Sequence, residues 1–307
     1  MRWTTDPDQP TLFQMERTVP GTGEFRGTTF HEIESRRIIN HLKNPGMLPF
    51  EYTINPYRGC THACVYCFAR PTHSYLDLDI GTDFDSQIVV KVNAPDLLRY
   101  ETAPGRWGGH HIAMGTNTDP YQRPEGRYRL TRQIIEVLVE RGNPFSILTK
   151  GTLVLRDLDL LTRAARNGSV RVDFSVATVD PEVWRATEPG TPHPARRLEA
   201  AGKLNAAGVE SGILIAPVLP GISEDGVSEV WREAASVGAE VVGTSMLHLR
   251  GELKAHYLEW LEGYRPDLVT SYRDLYRNSA YLPRNRRGRR WKSRTETKTP
   301  SQLNLEL

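Results

Sequence analysis

The chain has 307 residues, 38% of them hydrophobic, and a formal net charge of +2. That length suits one large α/β domain or two small ones, and so small a net charge excludes a bulk polycation built for nucleic acid. No apolar run approaches the length of a membrane span, the first residues lack signal-peptide character, and three cysteines in all fit a reducing cytoplasm.

Residues 1–48 are polar and rich in Gly, Pro and Thr, and they read as an N-terminal extension draped over the core. Within it, Thr18 to Thr29 reads as loop and Ile33 to Leu42 as a short amphipathic helix. From residue 49 to 250 short strands alternate with helices. Glu51–Ile54 is the first strand, and Ile88–Val92 an additional one followed by a short helix from Asp96 to Tyr100. His111–Met114 is the next core strand, and Leu130 to Arg141 has helical spacing. Phe145–Leu148 is a strand, Leu155 to Asn167 a helix stopped by Gly168, and Val170–Val176 a strand. Pro194 to Ala207 is a helix stopped by Gly208, and Gly212–Val218 a nearly continuous apolar strand. Asp225 to Val237 and Glu240–Thr244 complete the alternation. With Ile88–Val92 set aside as an insertion, six core strands remain, and the alternation implies a parallel sheet with right-handed crossovers. Residues 251–282 hold two closing helices, Glu252 to Glu262 and Asp267 to Leu275. Residues 283–307 are a polar, basic tail in which disorder is expected.

All three cysteines lie in Asn55-Pro-Tyr-Arg-Gly-Cys60-Thr-His-Ala-Cys64-Val-Tyr66-Cys67-Phe-Ala-Arg70. Three thiols within eight residues cannot all pair as disulfides. They can converge on one soft metal centre of the kind that thiolate favours, an iron–sulfur cluster or zinc. A cubane cluster takes four cysteines for full ligation, so three leave one iron open. A zinc site completed by His62 or His73 is the alternative, although structural zinc usually draws on two separated Cys/His pairs.

The spacing C-x3-C-x-aromatic-C of Cys60, Cys64, Tyr66 and Cys67 resembles the signature of the radical S-adenosylmethionine (SAM) superfamily. The continuation Tyr66-Cys67-Phe68-Ala69-Arg70 resembles the branch that contains the spore photoproduct lyases and DNA-repair photolyase-like enzymes. This resemblance implies an α/β fold, a partial (β/α)6 barrel with N- and C-terminal extensions. It implies a [4Fe-4S] cluster on Cys60, Cys64 and Cys67, with SAM on the open iron and reductive cleavage to a 5′-deoxyadenosyl radical. It also implies a low-potential electron donor of flavodoxin or ferredoxin type.

Ligands of parallel α/β sheets bind beyond the carboxyl ends of the strands. Gly115 and Thr116 end the second core strand, where the superfamily often has a glycine-rich turn that meets SAM. By the same resemblance Tyr66, Thr118, Lys150 and Ser175 contact SAM. Chemically, Lys150 can pair with a carboxylate, while Thr118 and Ser175 can hydrogen-bond carboxylate, amine or ribose. Asp119 is a candidate acid or orienting group. Thr187 to Pro192 with Arg196 and Arg197 is either a pocket wall or a turn held by a structural Glu188–Arg197 pair. His110 and His111 read as structural, while His193 and His248 could reach the barrel mouth.

Spore photoproduct lyases carry a fourth cysteine after the second core strand as hydrogen donor. Thr116 stands at that place, and Tyr121 is a nearby substitute donor to test. The tail residues Arg284, Arg286, Arg287, Arg289, Arg290, Lys292 and Arg294, with Trp291 and the preceding Tyr281, could bind DNA or RNA backbones. Lesion repair, modification of a peptide, protein or small molecule, and non-enzymatic nucleic-acid binding with a structural metal all stay open on the sequence.

Overall fold

The computed structural model describes residues 14–46 and 48–283. Its core is a sheet of seven strands. β3 (Ile39–His41) lies at one edge, followed by β4 (Tyr52–Ile54), β7 (Ile112–Met114), β8 (Phe145–Thr149), β9 (Val170–Ser175), β10 (Glu210–Val218) and β11 (Glu240–Met246). The six strands from β4 to β11 run parallel, and only β3 is antiparallel to its neighbour. Among the described residues no pairing joins the two edges. The expected six-stranded parallel array is therefore present, as an open barrel with one antiparallel strand added.

Alternation along the strands sorts core from lumen. Ile112 and Met114, Phe145 and Ile147, Val172 and Phe174, and Ile213 and Ile215 are all buried, and they form one apolar cluster with the helices. Those helices include α4 (Leu130–Glu140), α5 (Leu158–Ala165), α7 (Pro194–Ala206) and α8 (Val227–Ser236). Burying a Leu, Ile or Val side chain in this way contributes about 1.5–3 kcal/mol. Both predicted glycine stops hold, with Gly168 and Gly208 at positive φ. The other face of the strands carries Ser146, Leu148, Arg171, Asp173 and Leu214, all partly exposed toward the lumen side.

The N-terminal part differs from expectation. Thr18 to Thr29 is not all loop, because β1 (Gln14–Pro20) and β2 (Thr29–Glu34) form an antiparallel pair with only residues 21–28 turning between them. β2 then pairs with β6 (Gln87–Lys91), which pairs with β5 (Tyr57–Arg58), making a second sheet of order β1-β2-β6-β5. The helix expected over Ile33 to Leu42 is absent. Ile33 and Glu34 finish β2, and residues 39–41 form β3. Tertiary partners explain this: the Glu101 carboxylate accepts from the backbone N–H of Ile38 and Ile39 at 2.9 Å each, which a helix would have used internally. The strand at Ile88 is thus an insertion outside the barrel, as expected, and it anchors the extension.

Helices α1 (Thr82–Ser86), α2 (Ala94–Glu101), α3 (Glu125–Tyr128) and α6 (Pro181–Thr187) fill the loops. The two closing helices, α9 (Glu252–Tyr264) and α10 (Val269–Leu275), pack Leu253, Tyr257, Leu261 and Tyr272 into a cluster that includes Cys64 and Tyr66. No helix among the described residues is long and apolar enough to cross a membrane. Of the basic tail, Tyr281 is described and stacks on His248 at 4.4 Å. Arg284 onward lies outside the described residues.

Candidate functional site

The cysteine loop leaves the carboxyl end of β4 and is braced from three sides. Gly59 turns it at φ 82°, the N–H of Cys60 donates to Phe84 O at 3.0 Å, and Cys64 O is held by Arg70 Nε at 2.9 Å. Arg70 itself is fully buried, with its remaining donors on Ile80 O, Gly81 O and the Asp85 carboxylate. Gly190 Nα donates to His62 O at 3.0 Å, and a Cβ at Gly190 would overlap the carbonyl oxygen of Thr61. The loop's conformation thus depends on two segments far away in sequence.

All three cysteines are free. Burial pushes their thiol pKa values up, Cys64 to about 12; nearby negative charge adds to this, from Asp119, Cys67 and Cys64 at Cys60, from Glu188 and Cys67 at Cys64, and from Asp85 at Cys67. Lys150 opposes this at Cys64 and Cys67, as Arg197 does at Cys64 and Arg70 at Cys67. Among the described residues no three Cys, His, Asp or Glu side chains converge as ligands of one ion. A cluster asks something different, since each thiolate binds its own iron. Three soft donors near one another with cations around them fit that anionic group. His62, considered as a fourth ligand, instead faces Asp119 with Nδ1 3.3 Å from Oδ2. His73 is buried with Nε2 on Gln87 O at 3.0 Å.

The predicted strand-end residues fall into two groups. Lys150 and Ser175 come together: Lys150 Nζ donates to Ser175 Oγ at 2.7 Å, and Ser175 Oγ donates to Ala216 O at 2.7 Å. Gly115, at φ 88°, sits so tightly that a Cβ would overlap Leu148 O. The Thr116 hydroxyl meets Asn55 Nδ2 at 3.3 Å, and Asn55 Oδ1 accepts from Asn117 N–H at 3.1 Å. The second group links neighbouring loops. Thr118 Oγ1 donates to Gly59 O at 2.7 Å and accepts from Gln122 Nε2 at 2.8 Å, tying the second-strand loop to the cysteine loop. Asp119 accepts from Thr149 Oγ1 at 2.6 Å and from the N–H groups of Tyr121 and Lys150. Burial would raise the Asp119 pKa, but His62 and these donors bring it down to about 2. With two partners on each carboxylate oxygen, it serves to orient the groups around it.

What joins the cysteine loop to Lys150 is Glu188. Its carboxylate accepts from the Tyr66 hydroxyl, makes a 2.5 Å ion pair with Arg197 and lies 3.9 Å from Lys150 Nζ. Glu188 and Arg197 are about 1% exposed or less, and Lys150 Nζ stands 5.6 Å from the Tyr66 ring centroid. Arg197 also donates to Ser175 O at 3.0 Å and to Thr191 Oγ1. Burial favours the neutral acid, yet Arg197 and Lys150 hold the Glu188 pKa below the usual range. The Glu188-Pro-Gly-Thr-Pro segment therefore contains the expected Glu188–Arg197 ion pair, and Glu188 also accepts from the Tyr66 hydroxyl.

Asn55, Gln122 and the contact role of Gly190 escape sequence reasoning. Asn55 opens the cysteine stretch and could have been noticed there, whereas Gln122 carries no local signal. His193 caps α7, accepting from Ala195 N–H at 3.2 Å, and His248 is stacked under Tyr281, so neither serves the strand ends. Tyr121 is buried with its hydroxyl on Asp157 at 3.1 Å.

An open six-stranded parallel barrel with three free cysteines on the loop after its first strand defines a class of cluster-binding α/β proteins. The Radical SAM superfamily profile matches residues 54–234, and the chain belongs to that superfamily. Membership implies SAM and a [4Fe-4S] cluster. An uncharacterized protein of Mycobacterium tuberculosis is 48% identical over 262 residues, which span 85% of this chain and 77% of that one. Spore photoproduct lyase of Geobacillus sp. is 26% identical over 213 residues, 67% of this chain and 56% of the lyase. Among solved structures, a spore photoproduct lyase mutant with bound SAM and dinucleoside spore photoproduct superposes with a TM-score of 0.60. The two are 19% identical, and 87% of each chain is covered, so the likeness is one of fold.

Proposed function

We propose that this chain is a radical SAM enzyme that holds a [4Fe-4S] cluster on Cys60, Cys64 and Cys67 and cleaves SAM to initiate radical chemistry on a nucleic acid. The observation that carries the reading is the continuous link Cys64–Tyr66–Glu188–Lys150–Ser175, which puts a cation and a hydroxyl beside the cysteine loop. When bound, the cluster supplies the electron and the open iron for reductive cleavage of SAM.

The chain's own residues then have definite tasks. Glu188 faces two cations, the partly exposed Lys150 and the buried Arg197, and balances only one of them, so this trio carries one positive charge in excess. Lys150 would pair that charge with the carboxylate of a SAM molecule, and Ser175 holds the Lys150 ammonium in place. The Tyr66 ring, fixed through its hydroxyl, forms a wall, and the Gly115 turn with Thr116 forms the other side. Packing of α9 and α10 behind Cys64 and Tyr66 keeps water from that flank.

Nucleic acid as substrate is supported by the 26% identity to a spore photoproduct lyase. Repair of spore photoproduct itself is disfavoured, because Thr116 stands where the resemblance calls for a thiol and the Tyr121 hydroxyl is engaged by Asp157. Anaerobic reconstitution tests the proposal. About four irons per chain, an EPR signal of the reduced protein that changes on adding SAM, and 5′-deoxyadenosine as product are expected. A stable zinc protein without iron or acid-labile sulfide would refute it. Truncation before Arg284 addresses the substrate: DNA or RNA binding should weaken, and its salt slope should flatten by about 0.9 per lost contact to duplex DNA.

A further inference from the structure

One buried cation of the cysteine loop has no task in the function proposed above. Arg70 is 1% exposed, and all five of its guanidinium donors are used. Nε donates to Cys64 O at 2.9 Å, Nη1 to Ile80 O and Gly81 O at 2.9 Å each, and Nη2 to the two Asp85 oxygens at 2.9 and 3.0 Å. The backbone N–H of Arg70 donates to Cys67 O at 3.2 Å. Its guanidinium carbon lies 5.1 Å from the ring centroid of Phe84, whose carbonyl accepts from Cys60 N–H at 3.0 Å. One residue thus reaches the main chain of all three cysteines, two directly and one through Phe84.

The ion pair it makes is lopsided. The Arg70 side chain is 2% exposed and that of Asp85 is 26% exposed, and Asp85 lines an open pocket on the outside of the loop with Thr61 and Ala63. Water screens the carboxylate far more than the guanidinium, so the positive end prevails on the cysteine side. At Cys67 Arg70 favours the thiolate, and Asp85 opposes it with the smaller effect. Lys150 and Arg197, the other cations that act on the thiols, share Glu188 and are engaged in the SAM site proposed above.

We propose that Arg70, tempered by Asp85, sets the ease with which a cluster on these cysteines takes up an electron. The inference rests on the reading above that the cysteines carry a cluster. Reduction adds one negative charge and changes no bond in the protein. A fixed cation beside the thiolates therefore favours the reduced form, and a carboxylate beside that cation disfavours it. Asp85 acts through Arg70 and is a positioning residue. An arginine that only braced the loop would govern iron loading and stability, and would leave the potential of the loaded protein unmoved.

A potentiometric titration of the reconstituted full chain at pH 8 tests this; there Asp85 is ionised, its pKa being raised by burial only to about 6. Dithionite supplies the electron through mediator dyes, and the EPR signal of the reduced protein is the readout. Asp85→Asn removes the charge and keeps an acceptor for Arg70. At a fixed ambient potential it should raise the reduced-to-oxidised ratio about tenfold, which is about 59 mV for one electron. Asp85→Glu should return the wild-type value, and Arg70→Gln should shift the potential the other way. Iron per chain should match wild type in both Asp85 variants. If Arg70→Gln loads too little iron to titrate, the two Asp85 variants decide alone. Equal potentials for wild type and Asp85→Asn at full iron loading overturn the proposal, as does an equal shift in Asp85→Glu, and the function proposed above then stands. A wild type that takes up no iron–sulfur cluster overturns both.

Discussion

Gly190 approaches the cysteine loop so closely that any side chain would overlap the backbone of Thr61 and His62. Backbone atoms of a braced loop cannot step aside as a flexible side chain can. Gly190→Ala should therefore cost about 1–3 kcal/mol of overpacking strain and spread the loop that carries Cys60 and Cys64. Iron per chain after reconstitution is expected to fall well below wild type, while the helical signal in circular dichroism is kept. Full iron loading in that variant would show that the contact is dispensable. Lys150 and Glu188 separate binding from support. Lys150→Ala should leave iron loading intact and weaken SAM binding by about 1.5–3 kcal/mol, the value of a charge-assisted contact. Glu188→Gln removes the only carboxylate that pairs with buried Arg197 among the described residues. That should cost roughly 3–5 kcal/mol in urea unfolding and release the Tyr66 hydroxyl as well. If both variants proved equally stable, the buried pair would not be holding the wall.

At the scale of elements, helix α6 has the task of aiming Glu188. It starts at Asp180, whose carboxylate accepts from the N–H groups of Glu182 at 2.7 Å and Val183 at 3.0 Å. Pro181 occupies the first helical position, where its missing donor does no harm. Trp184 Nε1 then donates to Thr191 Oγ1 at 2.9 Å and folds the following turn back on the helix. Asp180→Ala should lower stability by about 1 kcal/mol through loss of the cap and loosen Glu188, visible as weaker SAM binding with normal iron content. An unaltered SAM affinity would mean that the turn positions Glu188 without the helix. Asp180-Pro181 is a helix-start signal in the sequence, but seven residues give only a single turn of apolar spacing to support it. The longer helices α4, α7 and α8 were legible, because eleven, thirteen and ten residues are enough for the 3.6-residue period to register.

Across the whole molecule, acid should attack the junction between the cysteine loop and the second-strand loop. Asp119 joins them through His62 and Lys150 N–H, and its pKa is about 2, below the 3.8 of an unperturbed aspartate. A carboxyl depressed on folding stabilises the folded state fully above its unfolded pKa, and that contribution fades as pH falls toward the folded value. Glu188, also depressed, acts in the same direction. Stability should therefore decline between about pH 4 and pH 2, with Asp119 accounting for on the order of 2 kcal/mol. Urea unfolding of wild type and Asp119→Asn at several pH values checks this: the variant should be weaker near neutrality and show a shallower decline in acid. Parallel pH profiles for the two proteins would assign the loss elsewhere.

Covalent neighbourhood and periodicity are legible in the sequence. The three cysteines with Tyr66 lie within eight residues, so their spacing states their chemistry before any folding. The six parallel strands follow from alternation of short apolar runs with helical patterns, and Lys150 and Ser175 follow from being strand ends. The tertiary structure alone decided which partners those residues meet. Tyr66 and Glu188 are 122 positions apart, and their hydrogen bond exists only because β9 and α6 return the chain to the cysteine loop. The same holds for Thr118, whose hydroxyl donates to Gly59 O, 59 positions away. The N-terminal extension departs from its local pattern for a related reason. Its residues satisfy their backbone donors on β6, β4 and Glu101, groups that no local window contains, and a hydrogen-bond ladder with distant strands overrides local helical spacing.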